Sequence, residues 1–220
     1  MSSPSDIAIS QRVRFVVLEG IDRSGKSTQA RLLAEWLRAS GRHTVLTREP
    51  GGTPLGERLR EIILDPEIPC APRTELMLIL AARSQHAAEV IAPALQDGAL
   101  VVSDRYTPSS LAYQGYGRGL PLDEIRAADA VATGGLRPDL TLVIDVPFDL
   151  VFERLEARAD RFEGEGRDFL QRVIAGYRRL AAEDPAVRLI DGTVSIEAVQ
   201  QAIRDTLCSV TISDRGGETR

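Results

Sequence analysis

Lysine is almost absent from this chain: of its 27 basic residues only one, Lys26, is not arginine. Cysteine is scarce as well. Cys70 and Cys208 are the only two, far apart and outside any C-x-x-C spacing, which argues against a zinc site and against a disulfide framework. That scarcity fits a reducing, cytoplasmic setting. No apolar run approaches the ~18 residues that a membrane span needs. The polar stretch Met1 to Arg12 lacks the apolar segment of a secretory signal. Net positive charge is missing too: at −5 the chain is not built to coat nucleic acid. No nucleic-acid or membrane partner is therefore expected.

What remains is a chain of 220 residues, 43% apolar, enough to bury one full core and short for two. No linker, repeat or low-complexity block divides it, so one domain is expected over residues 12–210, with loose termini at 1–11 and 211–220. Short apolar runs at 14–19, 44–47, 99–103, 140–144 and 187–190 read as strands. Helical spacing of apolar residues marks 26–40, 54–64, 73–95, 107–113, 121–132, 147–158, 166–183 and 195–208. Strands alternating with helices predict an α/β fold with a doubly wound, parallel, five-stranded sheet flanked by helices. Ligands of such sheets bind at the carboxyl ends of the strands.

The first such end is the most telling. Gly20-Ile21-Asp22-Arg23-Ser24-Gly25-Lys26-Ser27 matches G-x-x-x-x-G-K-[S/T], with a strand before it, a helix after it, and Thr28 next. Glycines let backbone N–H groups turn inward on phosphate oxygens, and the helix adds its positive end. Lys26 is placed to reach the β- and γ-phosphates and Ser27 to hold Mg²⁺. Asp22 and Arg23 face whatever lies opposite the nucleotide. A carboxylate there needs a hydroxyl or a cation, and an arginine there could neutralise a transferring phosphoryl group; both could equally be solvated loop residues.

After the third strand come Asp104, which can bind Mg²⁺ or its waters, and Arg105, whose fork suits a second phosphate. The following hydroxyl, amide and phenol groups, among them Ser110, Tyr113 and Gln114, suit a base and a sugar. Gly115 to Gly119 mimic a dinucleotide fingerprint but follow no strand, and read as a flexible loop. Arg48-Glu49-Pro50-Gly51-Gly52-Thr53 could bring backbone close to a ligand or simply turn into the next helix. Arg83, inside an apolar helix, needs a partner or a cavity. His86 and His43 read as ordinary surface histidines. Residues 154–168 alternate in charge and are interrupted by Gly164 and Gly166, as a solvated helix or an arginine-bearing lid would be.

Together these motifs resemble the thymidylate kinase family. The resemblance is carried by FVVLEGIDRSGKST (15–28), TREPGGT (47–53), LAARSQ around Arg83, SDRYTPSSLAYQGYGRG (103–119), RPDLTL (137–142), DRFE (160–163) and IDGT (190–193), in family order over nearly the whole chain. It implies a nucleoside monophosphate kinase fold, transfer of the ATP γ-phosphate to dTMP, Mg²⁺ as cofactor, a homodimer and a cytoplasmic location. Residue by residue, it implies that Asp22 contacts the deoxyribose 3′-OH and that Arg105 and Arg48 hold the acceptor phosphate, with Glu49 and Pro50 beside them. Arg83 would bond the thymine carbonyl, with Ser110 and Gln114 on the base edge, and Tyr113 would exclude a 2′-OH. Lys26 and Ser27 would serve ATP and Mg²⁺, and Asp191 to Thr193 would border the adenine. Residues 155–167 would form a mobile lid. The catalytic arginine is ambiguous, since Arg23 sits in the loop and Arg158 and Arg161 in the lid. Where the family stacks an aromatic on thymine, this chain has Ile79.

Two rival readings share the phosphate loop. A deoxynucleoside kinase would have no use for an acceptor-phosphate arginine such as Arg105. A non-catalytic nucleotide-binding module would have no use for a charged lid. The lone lysine makes a sharper point. A backbone cradle filled with phosphate has room for a slim ammonium and little for a planar guanidinium. Lys26→Arg is therefore expected to lose kcat nearly as completely as Lys26→Ala, and a near-normal turnover number in steady-state assays would refute that role.

Overall fold

The computed structural model describes residues 13–152, 162 and 165–210. Five strands, β1 (Phe15–Glu19), β2 (Thr44–Arg48), β3 (Leu100–Asp104), β4 (Leu140–Asp145) and β5 (Val187–Asp191), form one sheet in the order β2-β3-β1-β4-β5. Every pairing is parallel. β1 is central and buried along its whole length, as its continuous apolar run requires. The edge strands β2 and β5 leave some side chains exposed. Val16 and Leu18 point into the larger core with Leu33 and Leu142, while Phe15 and Val17 point the other way, toward Ile91, Val101 and Tyr106. The sheet is thus covered on both faces, as expected.

The helices follow from equally local signals. α1 (Lys26–Ala39) buries Ala30, Leu33, Ala34 and Leu37, one stripe at helical spacing. α2 (Pro54–Leu64) starts with Pro54 and is capped by the Thr53 hydroxyl, which accepts from the Gly56 N–H at 3.0 Å. α3 (Pro72–His86) continues through a wider turn at Ala87–Ile91 into α4 (Ala92–Gln96). α5 (Thr107–Ser110) likewise runs into a wide-turned segment, Leu111–Gly117. α6 (Leu122–Thr133), α7 (Phe148–Phe152), α8 (Arg167–Glu183) and α9 (Ile196–Ser209) complete the order, and Ser195 caps α9 through Ala198. Among the described residues no helix is long and apolar enough to cross a membrane.

Two expectations need correction. Gly115 to Gly117 do not loop; they finish the helical segment because bare glycines let neighbours close in. A Cβ on Gly117 would lie 2.6 Å from the Phe169 ring, and one on Gly115 would collide with Leu122. His86 is not a surface residue either. It is completely buried, because Glu49 and Thr47 supply partners to both ring nitrogens. His43, by contrast, is largely exposed. Most of the segment 155–167, with Arg158 and Arg161, lies outside the described residues, as do 1–12 and 211–220.

Candidate active site

The carboxyl end of β1 opens directly into the phosphate loop. Gly20 has φ 138° and sits where a Cβ would fall 2.8 Å from the Ile144 carbonyl oxygen, so only glycine lets the loop pass β4. Gly25, at φ 94°, sets the first turn of α1. Lys26 Nζ reaches back over the loop to the Ile21 carbonyl and to Asp22 Oδ1, each at 3.3 Å. Burial and the nearby Arg105 cation lower the Lys26 pKa, against the opposing pull of Asp22 and Asp104.

Asp22 is the hinge of the site. Its Oδ1 accepts from Arg105 Nη2 at 2.6 Å and its Oδ2 from the Tyr113 hydroxyl at 3.1 Å. Burial alone would raise its pKa, but Arg105 and Lys26 outweigh this and hold it well below the usual carboxylate range. Arg105 sits at φ 74°, a left-handed backbone that costs a non-glycine residue about 1–3 kcal/mol. The conformation turns its side chain back over β1. There Nη1 donates to the Gly20 carbonyl at 3.1 Å and to Ser109 Oγ at 3.0 Å. Behind it Glu19, fully buried, accepts from the N–H groups of Tyr106 and Ser109, from Ser109 Oγ and from the Tyr177 hydroxyl. Burial raises the Glu19 pKa, and Arg105 partly offsets it.

Beyond Asp22 lies a cleft with both polar and apolar walls. Asp22, Glu49, Pro50, Arg83, Arg105, Ser110, Tyr113 and Gln114 all line it. Ser110 Oγ is buried without a hydrogen-bond partner, a polar atom in want of a ligand. Arg83 is held by Glu49 and Asp129, both at 2.7 Å, and Gln114 donates to the buried Glu75 at 2.8 Å. Ile79 forms part of the wall, with Ile63, Leu64 and Phe162. Arg48 does not line the cleft: half-exposed, it pairs with Glu57 at 2.7 Å, in the first turn of α2. Arg60 does line it, its Nη1 donating to the Pro50 carbonyl at 2.9 Å.

On the donor side, Ser27 Oγ donates to Asp104 Oδ2 at 2.5 Å, while Asp104 Oδ1 is buried and unpartnered. A hydroxyl and a carboxylate with a spare oxygen, beside a phosphate loop, fit Mg²⁺, which takes one or two protein oxygens and fills the rest with phosphate and water. No cluster of three or more His, Cys, Asp or Glu side chains forms a closed metal cage among the described residues. Across the loop, Asp191 folds its carboxylate onto the Thr193 N–H and hydroxyl, at 2.9 and 2.6 Å, shaping the turn after β5.

The sequence model of one family, thymidylate kinase, matches residues 18–203. The chain belongs to the thymidylate kinase family. It is 52% identical to the thymidylate kinase of Pseudomonas fluorescens Pf0-1 over 88% of its own length and 93% of that protein's. It is 47% identical to that of Neisseria gonorrhoeae NCCP11945 over 88% and 96%. The crystal structure of the thymidylate kinase from Ehrlichia chaffeensis superposes with a TM-score of 0.74 at 32% identity, covering 89% of this chain and 98% of that one.

Within this thymidylate kinase fold, Glu19, Arg60, Ser109 and Tyr177 also build the site, though no motif marks them. Glu19 left a trace, a carboxylate ending an otherwise apolar strand. Tyr177 left none, because in sequence it is one more member of the buried stripe of α8.

The Asp22 charge yields a prediction. Its depressed pKa means that the carboxylate stabilises the fold above about pH 4, and that this stabilisation fades as pH falls toward the lowered value. Asp22→Asn is expected to lower the unfolding free energy by about 1–3 kcal/mol at pH 7. Urea titrations of ligand-free protein should show the two curves converging below about pH 4.

Proposed function

We propose a division of labour along the cleft for the family's reaction, in which the γ-phosphate of ATP passes to dTMP to give dTDP and ADP. The observation that carries it is the junction of Asp22 and Arg105, where the phosphate loop and the second cleft meet. The loop backbone from Gly20 to Thr28 cradles the ATP phosphates, Lys26 neutralises the β- and γ-phosphates, and the turn from Asp191 to Thr193 borders the adenine. Ser27 and Asp104 hold Mg²⁺, which supplies charge neutralisation on the phosphates.

On the acceptor side, Arg105 and Arg48 bind the dTMP phosphate, and Arg60, which lines the cleft near Arg48, adds a further cation. Asp22 takes the 3′-OH as a hydrogen-bond donor and thereby orients the sugar. Arg83, Ser110 and Gln114 read the base, and the Tyr113 ring stands where a 2′-OH would project. Ile79 gives the base an aliphatic face in place of a stacking ring. Little covalent work is left to the protein; catalysis is positioning and charge stabilisation. Arg23, in the loop at φ 61°, and Arg158 and Arg161, in a lid at about 155–167 read from sequence, supply the remaining cations.

We extend the proposal to one kinase domain over 12–210, acting in the cytoplasm as a homodimer. Leu55 and Ile62 on α2, Met77 on α3 and Val131 on α6 are exposed apolar side chains that a second copy would cover.

The function is tested by coupled ADP-release assays with ATP, Mg²⁺ and a panel of nucleoside monophosphates plus thymidine. dTMP should be the preferred acceptor; thymidine turnover would favour a deoxynucleoside kinase, and tight binding without turnover a binding module. Arg105→Ala should raise the dTMP KM about 10–100-fold, the loss of a charge-assisted contact, with a much smaller change in the ATP KM. Equal increases in both would sink the acceptor-phosphate assignment.

A further inference from the structure

A buried polar chain runs back from the acceptor cleft to a residue that the reaction as described does not use. It begins at His86, the last residue of α3. Nδ1 of the ring lies 2.9 Å from Glu49 Oε1, and Nε2 lies 2.6 Å from the Thr47 hydroxyl oxygen. Glu49 passes the contact on, its Oε2 accepting from Arg83 Nε at 2.7 Å. Arg83 then donates from Nη1 to Asp129 at 2.7 Å and from Nη2 to the Tyr106 carbonyl at 3.1 Å. The other Asp129 oxygen accepts from the Thr107 hydroxyl at 2.8 Å. His86, Glu49, Arg83 and Asp129 are all buried, so each contact acts with little competition from water. Glu49 and Arg83 line the cleft; His86 does not.

We propose that His86 is a positioning residue for recognition of the acceptor base, acting through Glu49 on Arg83. A carboxylate shared between an imidazole and a guanidinium has its rotamer set by both. With a donor at Nδ1, Glu49 Oε1 is occupied, so Oε2 alone is presented to Arg83 Nε, and the guanidinium plane is held toward the cleft. The carboxylate at Nδ1 fixes the proton there, leaving Nε2 to accept from Thr47. The loop is moulded around the ring: Gly52, at φ 77°, packs so closely that a Cβ would lie 2.7 Å from His86 Cδ2 and 2.8 Å from Nε2. Arg83 burial is costly, and Glu49 and Asp129 together reverse it and raise the Arg83 pKa, so Arg83 is a permanent cation whose direction alone is left to be set. The inference rests on the reading that Arg83 contacts the base of dTMP.

The test uses His86→Asn, His86→Gln and His86→Ala in the full-length enzyme, with Arg83→Gln alongside. The amide nitrogen of Asn falls where Nδ1 stands, and that of Gln where Nε2 stands, so only Asn restores the donor to Glu49. His86→Asn is expected to keep the dTMP KM within about threefold of wild type. His86→Ala and His86→Gln should raise it about tenfold, the scale of one charge-assisted hydrogen bond. Saturated kcat and the ATP KM should stay within about twofold in all three. An unchanged dTMP KM in His86→Ala would overturn the inference, as would equal behaviour of the Asn and Gln variants or an ATP KM rising in step with the dTMP KM. Should His86→Ala not fold, the Asn–Gln contrast decides the question alone. If Arg83→Gln raises the dTMP KM and the His86 variants do not, only the relay fails. If Arg83→Gln leaves it unchanged, the base-reading role of Arg83 fails and the relay falls with it.

Discussion

The ion pair between Asp22 and Arg105 organises this molecule. It ties the loop after β1 to the residue that follows β3, two places far apart in sequence that the parallel register brings side by side. Neither partner is there cheaply. Arg105 adopts a left-handed backbone, and both side chains give up much of their hydration. What offsets the cost is a dense set of neighbours: Glu19, Ser109, Tyr113 and Tyr177 close around the guanidinium, and Lys26 completes the balance on Asp22. A buried cluster with so many partners has few alternative arrangements. It is preorganised before either substrate arrives, and that is what phosphoryl transfer demands of a protein that does little bond chemistry itself.

Much of this arrangement was legible in the sequence, and the reason is locality. The loop glycines, Pro54 behind its Thr53 cap and the apolar stripe of α1 are short-range signals, and α1 and α2 form within a residue of their expected bounds. Strand ends then pointed to the site, because a parallel sheet puts its ligands there. That rule points to Asp22, Asp104 and Arg105, and the structure brings all three to the carboxyl end of the sheet.

The residues that escaped owe their places to long-range pairing. His86 looks solvent-facing until Glu49 and Thr47, in a different element, are folded against it. Arg48 pairs with Glu57 on α2 and stays half-exposed, close enough to the cleft-lining Arg60 to act on its charge. Arg60 looks like an ordinary charge on an amphipathic helix. Only the Pro50 carbonyl, brought back over α2, shows which way it faces.

The sheet order β2-β3-β1-β4-β5 has one more implication. β1 is central, and its two sides are built by different halves of the chain. The turn after β2, with α2 and α3, supplies Glu49, Pro50, Arg60, Ile79 and Arg83 to the cleft beside Asp22, while β4 and β5 lie on the far side of β1 with the turn from Asp191 to Thr193 at the end of β5. Two links tie the loop side of β1 to the end of β3, Asp22 to Arg105 and Ser27 to Asp104. The architecture is modular at the scale of half a sheet.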